Sequence, residues 1–328
     1  MAPDDEFGAV VMRLWPGFGS ASDGWTALDS GPDGMVAASV RNPAAAGAKP
    51  QVVRIGELPE RALDNEALSQ LARKLPGSGF SWTLPLNRGD YNLLVIAQPT
   101  VEADEMKQSL RWSIGNMVDY PIDEAVIDWM AVPTLNYLPM RAQHVYAIAA
   151  RKEVVTRYTE IFERSDLELS AIDIRETAQR NISALVEKRS EALGMVSVDP
   201  QGVQITVTFE GELYLDRFID WPLDAVLNGG SETRKKHFDR VALQVQRSLD
   251  FVRRTLPFLN ISRIVIAPLP APIALRENIA ASIAEPVESL DLSTVFDISL
   301  VPELREAEVQ ARYFYALGAA LRGKATPK

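Results

Sequence analysis

The sequence predicts a two-lobed α/β protein with a cleft between its halves. Three observations predict it. At 328 residues the chain is long enough for two domains of ordinary size. A pattern of hairpin-forming strands followed by helix–strand alternation occurs twice along it, as in a duplicated α/β architecture. Hydrophobic residues make up 47% and charged residues 24%, a mix that buries a core without disulfide or metal staples.

The first unit opens at Gly24. Trp25–Leu28 reads as a short strand, Pro32-Asp33-Gly34 as a turn, and Met35–Val40 as the returning strand. Arg41–Pro50, with Asn42-Pro43, three alanines and Gly47, is a hairpin loop leading to a third strand at Gln51–Ile55. A helix built on Leu63, Leu68, Leu71 and Leu75 is broken by Pro-Gly-Ser-Gly at 76–79. Tyr91–Gln98 then reads as a buried strand, Glu105–Gly115 as a helix, Ala125–Val132 as a strand and His144–Ala150 as a central strand. In Glu153–Arg164 the apolar positions Val154, Val155, Tyr158, Ile161 and Phe162 have helical spacing. Leu167–Ile174 reads as β and Glu176–Lys188 as a further helix.

After Gly194 the texture changes. Met195–Val198, Gly202–Phe209 and Glu212–Ile219 are three consecutive strands, with Glu210-Gly211 as a two-residue hairpin turn. Arg234–Leu256 is a long helix with Phe238, Val241, Ala242, Val245, Leu249, Val252 and Leu256 on one stripe, ended by Pro257. Ile261–Ala267 reads as a buried strand, Ala274–Ala284 as a helix and Glu306–Arg322 as the closing helix.

Composition excludes several functions. No cysteine is present, which removes disulfides, thiolate zinc sites, iron–sulfur clusters and a Cys nucleophile. Two histidines, His144 and His237, argue against a multi-histidine metal site. A net charge of −10 argues against nucleic acid as a partner, because phosphate neutralisation needs a basic footprint. No apolar stretch is long enough to span a bilayer. The opening Met-Ala-Pro-Asp-Asp-Glu is acidic where a secretion signal needs positive charge, so a cytoplasmic protein is expected. The run Val10, Val11, Leu14, Trp15, Phe18 reads as a flexible tail or a packed edge segment, with an apolar face touching a membrane or a partner as its rival, against which Asp4, Asp5 and Glu6 argue.

Five phrases in order along the chain carry a resemblance. They are Leu110-Arg111-Trp112 with Tyr120-Pro121-Ile122-Asp123-Glu124-Ala125-Val126-Ile127-Asp128-Trp129; Ala171-Ile172-Asp173-Ile174-Arg175-Glu176 with Arg180-Asn181-Ile182; the hairpin Gly211–Arg217; the helix Gln244–Val252; and Tyr315–Arg322. Together they resemble the pilus-assembly family PilM, in its MshI branch associated with mannose-sensitive haemagglutinin-type (MSHA) pili, from about residue 24 to 322. The resemblance implies an actin-like (ribonuclease H-like) duplicated two-lobe fold with a central cleft. It divides the chain into an extension (1–23), a first lobe (24–190) with an insertion at about 80–145, a second lobe (191–305), and a helix with a short tail (306–328) returning to the first lobe. It also implies a cytoplasmic scaffold, peripheral to the bacterial inner membrane, in a type IV pilus or type II secretion platform. The implied partner is a PilN-like bitopic protein held by its cytoplasmic tail, with the pilus motor ATPase as a second candidate.

Some members of that family bind ATP between the lobes, on two Asp-x-Gly hairpins whose backbone N–H groups approach phosphate. Here Asp29 and Gly31 match the first, but Pro32 and Asp33 replace the small hydroxyl residues and Val36 stands where lysine is expected. Proline deletes a donor, and Asp33 adds a charge that costs on the order of 1 to 4 kcal/mol against phosphate at about 4 Å. In the second, Asp199 is kept with Gly202 after it, but Gln201 replaces the motif glycine. Trp221-Pro222-Leu223-Asp224 and Pro268-Leu269-Pro270 stand where small Gly-Gly stretches are expected, Gly229-Gly230 reads as a plain loop, and no P-loop exists. The expectation is a pseudo-ATPase with no catalytic residue, cofactor or metal, and a remnant cleft at Asp29, Gly31, Asp199 and Gly202. Read locally, both aspartates are turn residues. The rivals are an active ATPase or sugar-kinase-like enzyme using ATP and magnesium, and an unrelated two-domain α/β protein.

The remaining candidates read as structural. Asp4-Asp5, Asp123-Glu124 and Glu102/Asp104/Glu105 lie adjacent to one another or near helix starts and face solvent. His144 reads as a satisfied structural histidine. The cluster Arg234-Lys235-Lys236-His237 reads as a solvated face, with contact to anionic lipid or an acidic partner as its rival. Trp112, Trp129 and Trp221 read as core or cleft-lining residues, one of which could anchor a partner peptide.

Overall fold

The computed structural model describes residues 23–322 apart from 32–33, 44–46, 61, 134–142 and 222. The N-terminal run from Val10 to Phe18, Asp4-Asp5, the hairpin residues Pro32 and Asp33, and Pro222 lie outside the described residues. Strands β1 (Gly24–Gly31), β2 (Gly34–Arg41) and β3 (Gln51–Leu58) precede helix α1 (Asn65–Ala72), whose first turn is capped by Asp64. Next come β4 (Phe80–Pro85), β5 (Tyr91–Ala97), α2 (Met106–Ile114), β6 (Ala125–Val132), β7 (His144–Arg151), α3 (Lys152–Arg164), β8 (Leu169–Asp173) and α4 (Arg175–Val186). The second half runs β9 (Ala192–Asp199), β10 (Gly202–Phe209), β11 (Glu212–Asp220), α5 (Leu223–Asn228), α6 (Ser231–Thr255), β12 (Ile261–Ile266), α7 (Leu275–Ala280), β13 (Val287–Ser289) and α8 (Ala307–Ala319).

Two five-stranded sheets share one topology. The first is ordered β3-β2-β1-β4-β8 and the second β11-β10-β9-β12-β13. In each, the first three strands form an antiparallel meander, the fourth adds in parallel to its first strand, and the fifth adds in parallel to the fourth. Antiparallel neighbours need only a local connection, two residues between β10 and β11 and nine between β2 and β3, whereas each parallel addition needs a crossover. Glu210 and Gly211, with φ of +53° and +76°, make the β10–β11 turn, the twisted two-residue hairpin that the sequence predicts. A third, antiparallel sheet ordered β5-β7-β6 lies in sequence between β4 and β8, and α2 covers one of its faces.

Helices α4 and α8 cross between the two large sheets. Tyr313 through Leu317 of α8, Ala178 and Ile182 of α4, Ala38 and Val40 of β2, and Leu193 and Met195 of β9 form one buried cluster. The crossing is close because of Gly318: a Cβ there would lie 2.2 Å from the Ala178 carbonyl oxygen. Outside the second sheet, α6 buries Phe238, Val241, Ala242, Val245, Leu249 and Val252. That is the predicted stripe without Leu256, which falls beyond the helix end and is half-buried.

Several local expectations are corrected. β5 is an edge strand paired only with β7, and no residue in it is fully buried; Val95 is 56% exposed. Strand β4 was not anticipated, since Ser81 and Thr83 interrupt the apolar run after the Pro-Gly-Ser-Gly break. Helix α7 stops at Ala280, four residues short of the predicted end, with Ser282 N–H turning back to the Ile279 carbonyl. His144 is exposed at the first position of β7, because it stands at the open end of its sheet. Trp112 is 80% exposed, since α2 turns Met106, Leu110 and Ile114 inward and the 3.6-residue period places position 112 opposite them. Trp221 is buried, with its ring edge-on to Phe238. Glu102, Asp104, Glu105, Asp123 and Glu124 are solvent-exposed.

Candidate functional site

The equivalent strand ends of the two meanders, at Asp29 of β1 and Asp199 of β9, face each other across the N-terminus of α4. Arg175 is the first residue of that helix, and its side chain is 5% exposed. Its Nη2 donates to Asp29 Oδ1 at 2.8 Å and to Asn87 Oδ1 at 3.2 Å. Its Nη1 lies 3.6 Å from Asp199 Oδ2. The guanidinium stacks 4.4 Å from the Tyr315 ring centroid, a contact strengthened by the absence of water. The aspartates of the two hairpins are thus brought together, with an arginine between them.

Asp199 also uses its other oxygen. Oδ1 accepts the backbone N–H groups of Gln201 at 2.8 Å and Gly202 at 2.9 Å. Those are the donors a phosphate would need from this turn, and a carboxylate in the same turn already takes them. Asp29 caps no turn of its own; it sits within β1 and is buried. Burial pushes its carboxyl up to about 6; the Arg175 charge opposes this shift and the Asp199 charge adds to it. Gly31 lines an open cavity of about 440 Å³ beside the turns, together with Ser30, Asn87, Asp90, Tyr158 and Gln201. Arg157 reaches the same cavity from an exposed position, stacked on Tyr158.

A second buried polar cluster adjoins the first. Glu176 accepts from Tyr91 Oη at 2.5 Å and from Arg88 Nη1 at 3.2 Å. The Arg88 guanidinium lies 4.0 Å over the Phe218 ring, tying the loop after β4 to β11. Asp216 of β11 accepts from Gln204. Burial and then the charge of Glu176 hold its carboxyl well above the usual carboxylate range. Arg88, Arg175, Glu176 and Asp216 are the site residues that sequence reasoning missed. Arg175 and Glu176 stood within a quoted phrase, but an Arg-Glu pair opening a helix reads as surface charge. Asp216 lies within the hairpin Gly211–Arg217, where one carboxylate on an exposed-looking strand carries no signal of burial, and Arg88 lies in no such phrase.

A guanidinium already occupies the position between the two carboxylates, Asp199 consumes the second turn's donors, and Trp221 and the loop from Pro268 to Pro270 supply no close-approach glycines. Among the described residues no group of three or more His, Asp or Glu side chains could hold a metal.

No protein-family model and no curated protein matches the chain. Solved structures do. A PilM–PilN type IV pilus biogenesis complex matches over 94% of this chain and 100% of that chain, at 16% identity and a TM-score of 0.70. The fold is actin-like. In this actin-like fold the duplicated sheets are the two repeats, and the α4 N-terminus sits where their turns converge. Similarity at lower TM-score extends to the ethanolamine utilization protein EutJ from Carboxydothermus hydrogenoformans (0.47, 11% identity, 95% of this chain and 94% of that one). It also extends to the cytoplasmic domain of EpsL, an inner membrane component of the Vibrio cholerae type II secretion system (0.46, 9%, 80% and 96%). No helix among the described residues is long and apolar enough to cross a membrane.

Proposed function

We propose that this chain is a non-catalytic, PilM-like scaffold of a type IV pilus or type II secretion inner-membrane platform, of the MSHA type. It works in the cytoplasm, peripheral to the membrane, and binds the cytoplasmic tail of a PilN-like bitopic partner. The likeness to a structure of a PilM–PilN complex over nearly the whole chain supports the setting. One observation carries the non-catalytic part: Arg175 joins Asp29 and Asp199 in a buried ion-paired bridge. Magnesium could take its place only by breaking a buried ion pair, at about 3–5 kcal/mol, and phosphate would then meet carboxylates instead of donors.

Calorimetric titration with ATP and magnesium, repeated with ADP, tests the reading. The expected result is no heat of binding from a folded sample. Sub-millimolar affinity would overturn it and turn the scaffold into a nucleotide-gated switch. The partner is tested separately, by titrating a synthetic cytoplasmic tail of a PilN-like protein from the same genome. Saturable binding is expected, and a silent titration sinks the partner assignment.

A further inference from the structure

Helix α6 is the longest among the described residues, 25 residues and so about 37 Å. It carries seven Lys or Arg against three Asp or Glu, a net +4 on a chain of net −10. Its inner stripe is buried on the second sheet. At 100° per residue, Lys236, Arg240, Leu243, Arg247, Phe251 and Arg254 fall within an outward arc of about 80°. All six are exposed, Leu243 and Phe251 by 45% and 40%. Arg240, Arg247 and Arg254 recur every seventh residue, which stacks them two turns apart on one line. Among the described residues none of Lys236, Arg240, Arg247 and Arg254 has an ion-pair partner.

The stripe borders an open groove of about 850 Å³ between α6 and β11, lined by Arg217, Gln244, Arg247, Phe251 and Arg254 among others. Arg217 donates to Gln244 at 3.1 Å, closing the groove floor. On the opposite flank stand the acidic residues Glu232 and Asp239, and Asp239 accepts from Asn278 of α7; Asp250 lines the groove itself, where it is paired with Arg253 at 3.1 Å. The positive surface is therefore a line with a negative border. A negatively charged bilayer would press on both. A single helix lying along the groove meets the arginine line and one carboxylate, Asp250, whose charge Arg253 already offsets.

We propose that this face of α6 is a docking surface for an acidic amphipathic helix of a partner protein. The partner helix presents carboxylates at heptad spacing to Arg240, Arg247 and Arg254. Its apolar side chains cover Leu243 and Phe251, which lie about 12 Å apart along the axis. Heptad-spaced charge across two helices fixes register and orientation as well as attraction. Docking here does not require an inert cleft, so the nucleotide titration and the test below fail independently.

The test uses the full chain and fluorescence anisotropy of a labelled designed helix, about four heptads long, with Glu at every seventh position and Leu at the facing apolar positions. Saturable, salt-sensitive binding is expected. A scrambled peptide of the same composition should bind at least about tenfold more weakly, and the R240E/R247E/R254E variant should lose at least as much. A peptide with Lys in place of the heptad Glu should bind that variant. Phe251→Ser, which changes no charge, should weaken binding severalfold and covers the case in which the triple variant misfolds. Equal binding of the scrambled peptide, or none by either, overturns the proposal. So does co-sedimentation with phosphatidylglycerol vesicles in the absence of peptide binding, which would reassign the face to lipid.

Discussion

Arg175 Nη2 lies 2.8 Å from Asp29 Oδ1, and the two side chains are only 5% and 10% exposed. A pair so dry is held by geometry and not by excess stability, because desolvation offsets much of the attraction. Removing one partner is another matter. Arg175→Met should leave Asp29 and Asp199 facing each other with no cation, and should cost about 3–5 kcal/mol in urea denaturation. Adding Asp29→Asn to that variant should recover part of the loss, because it removes one of the stranded carboxylates. Additive losses in the double variant would show that the two residues do not act as a pair.

Asp29 also sets a pH dependence. Its carboxyl titrates at about 6 in the folded protein against 3.8 ordinarily, so the folded state holds the proton more tightly than the unfolded one. That contribution to stability is fully present below pH 3.8 and is lost as pH rises through 6, by at most about 3 kcal/mol. Denaturation midpoints of the wild type and Asp29→Asn should therefore diverge between pH 4 and pH 6. Parallel pH profiles would contradict a raised Asp29.

Gly318 lets α4 and α8 touch backbone to backbone, and Asn181 Nδ2 donates to its carbonyl at 3.0 Å. Gly318→Ala places a methyl 2.2 Å from the Ala178 carbonyl oxygen and 2.7 Å from its carbon. Neither can yield without moving a helix. A loss of about 1–3 kcal/mol is expected, read as a lowered Tm; an unchanged Tm would mean that the helices separate freely.

The tryptophans should divide sharply. Trp112→Ala removes a ring that is 80% exposed and should change stability by no more than about 0.5 kcal/mol. Trp221→Ala empties a site that is 1% exposed, beside Phe238, and should cost about 3–5 kcal/mol. Fluorescence quenching by iodide should reach Trp112 and not Trp221.

Much of the fold was legible in the sequence, and the errors have physical causes. The α6 stripe and the Glu210-Gly211 turn depend on spacing and on local φ, which neighbouring residues encode. Tyr91–Gln98 failed as a buried strand because apolar content does not say whether a strand has neighbours on both sides, and β5 has one. Trp112 failed for a similar reason: a large aromatic was read as core, although the inward face of α2 is set by Met106, Leu110 and Ile114. At the cleft, Asp29 and Asp199 stood out as remnants of a repeated motif, but what surrounds them did not.

By itself the sequence determined most of the order of elements, β4 excepted, the Glu210-Gly211 turn and the apolar face of α6, since each is written within a few residues. The chemistry of the cleft was decided only by tertiary structure. Asp29 and Arg175 lie 146 residues apart, and they meet because two sheets of one topology point their turns at the same helix end. An arginine at the start of a helix is an ordinary surface charge until both repeats close over it. Once they do, the loss of water makes its charge the partner of two carboxylates that no local pattern had joined.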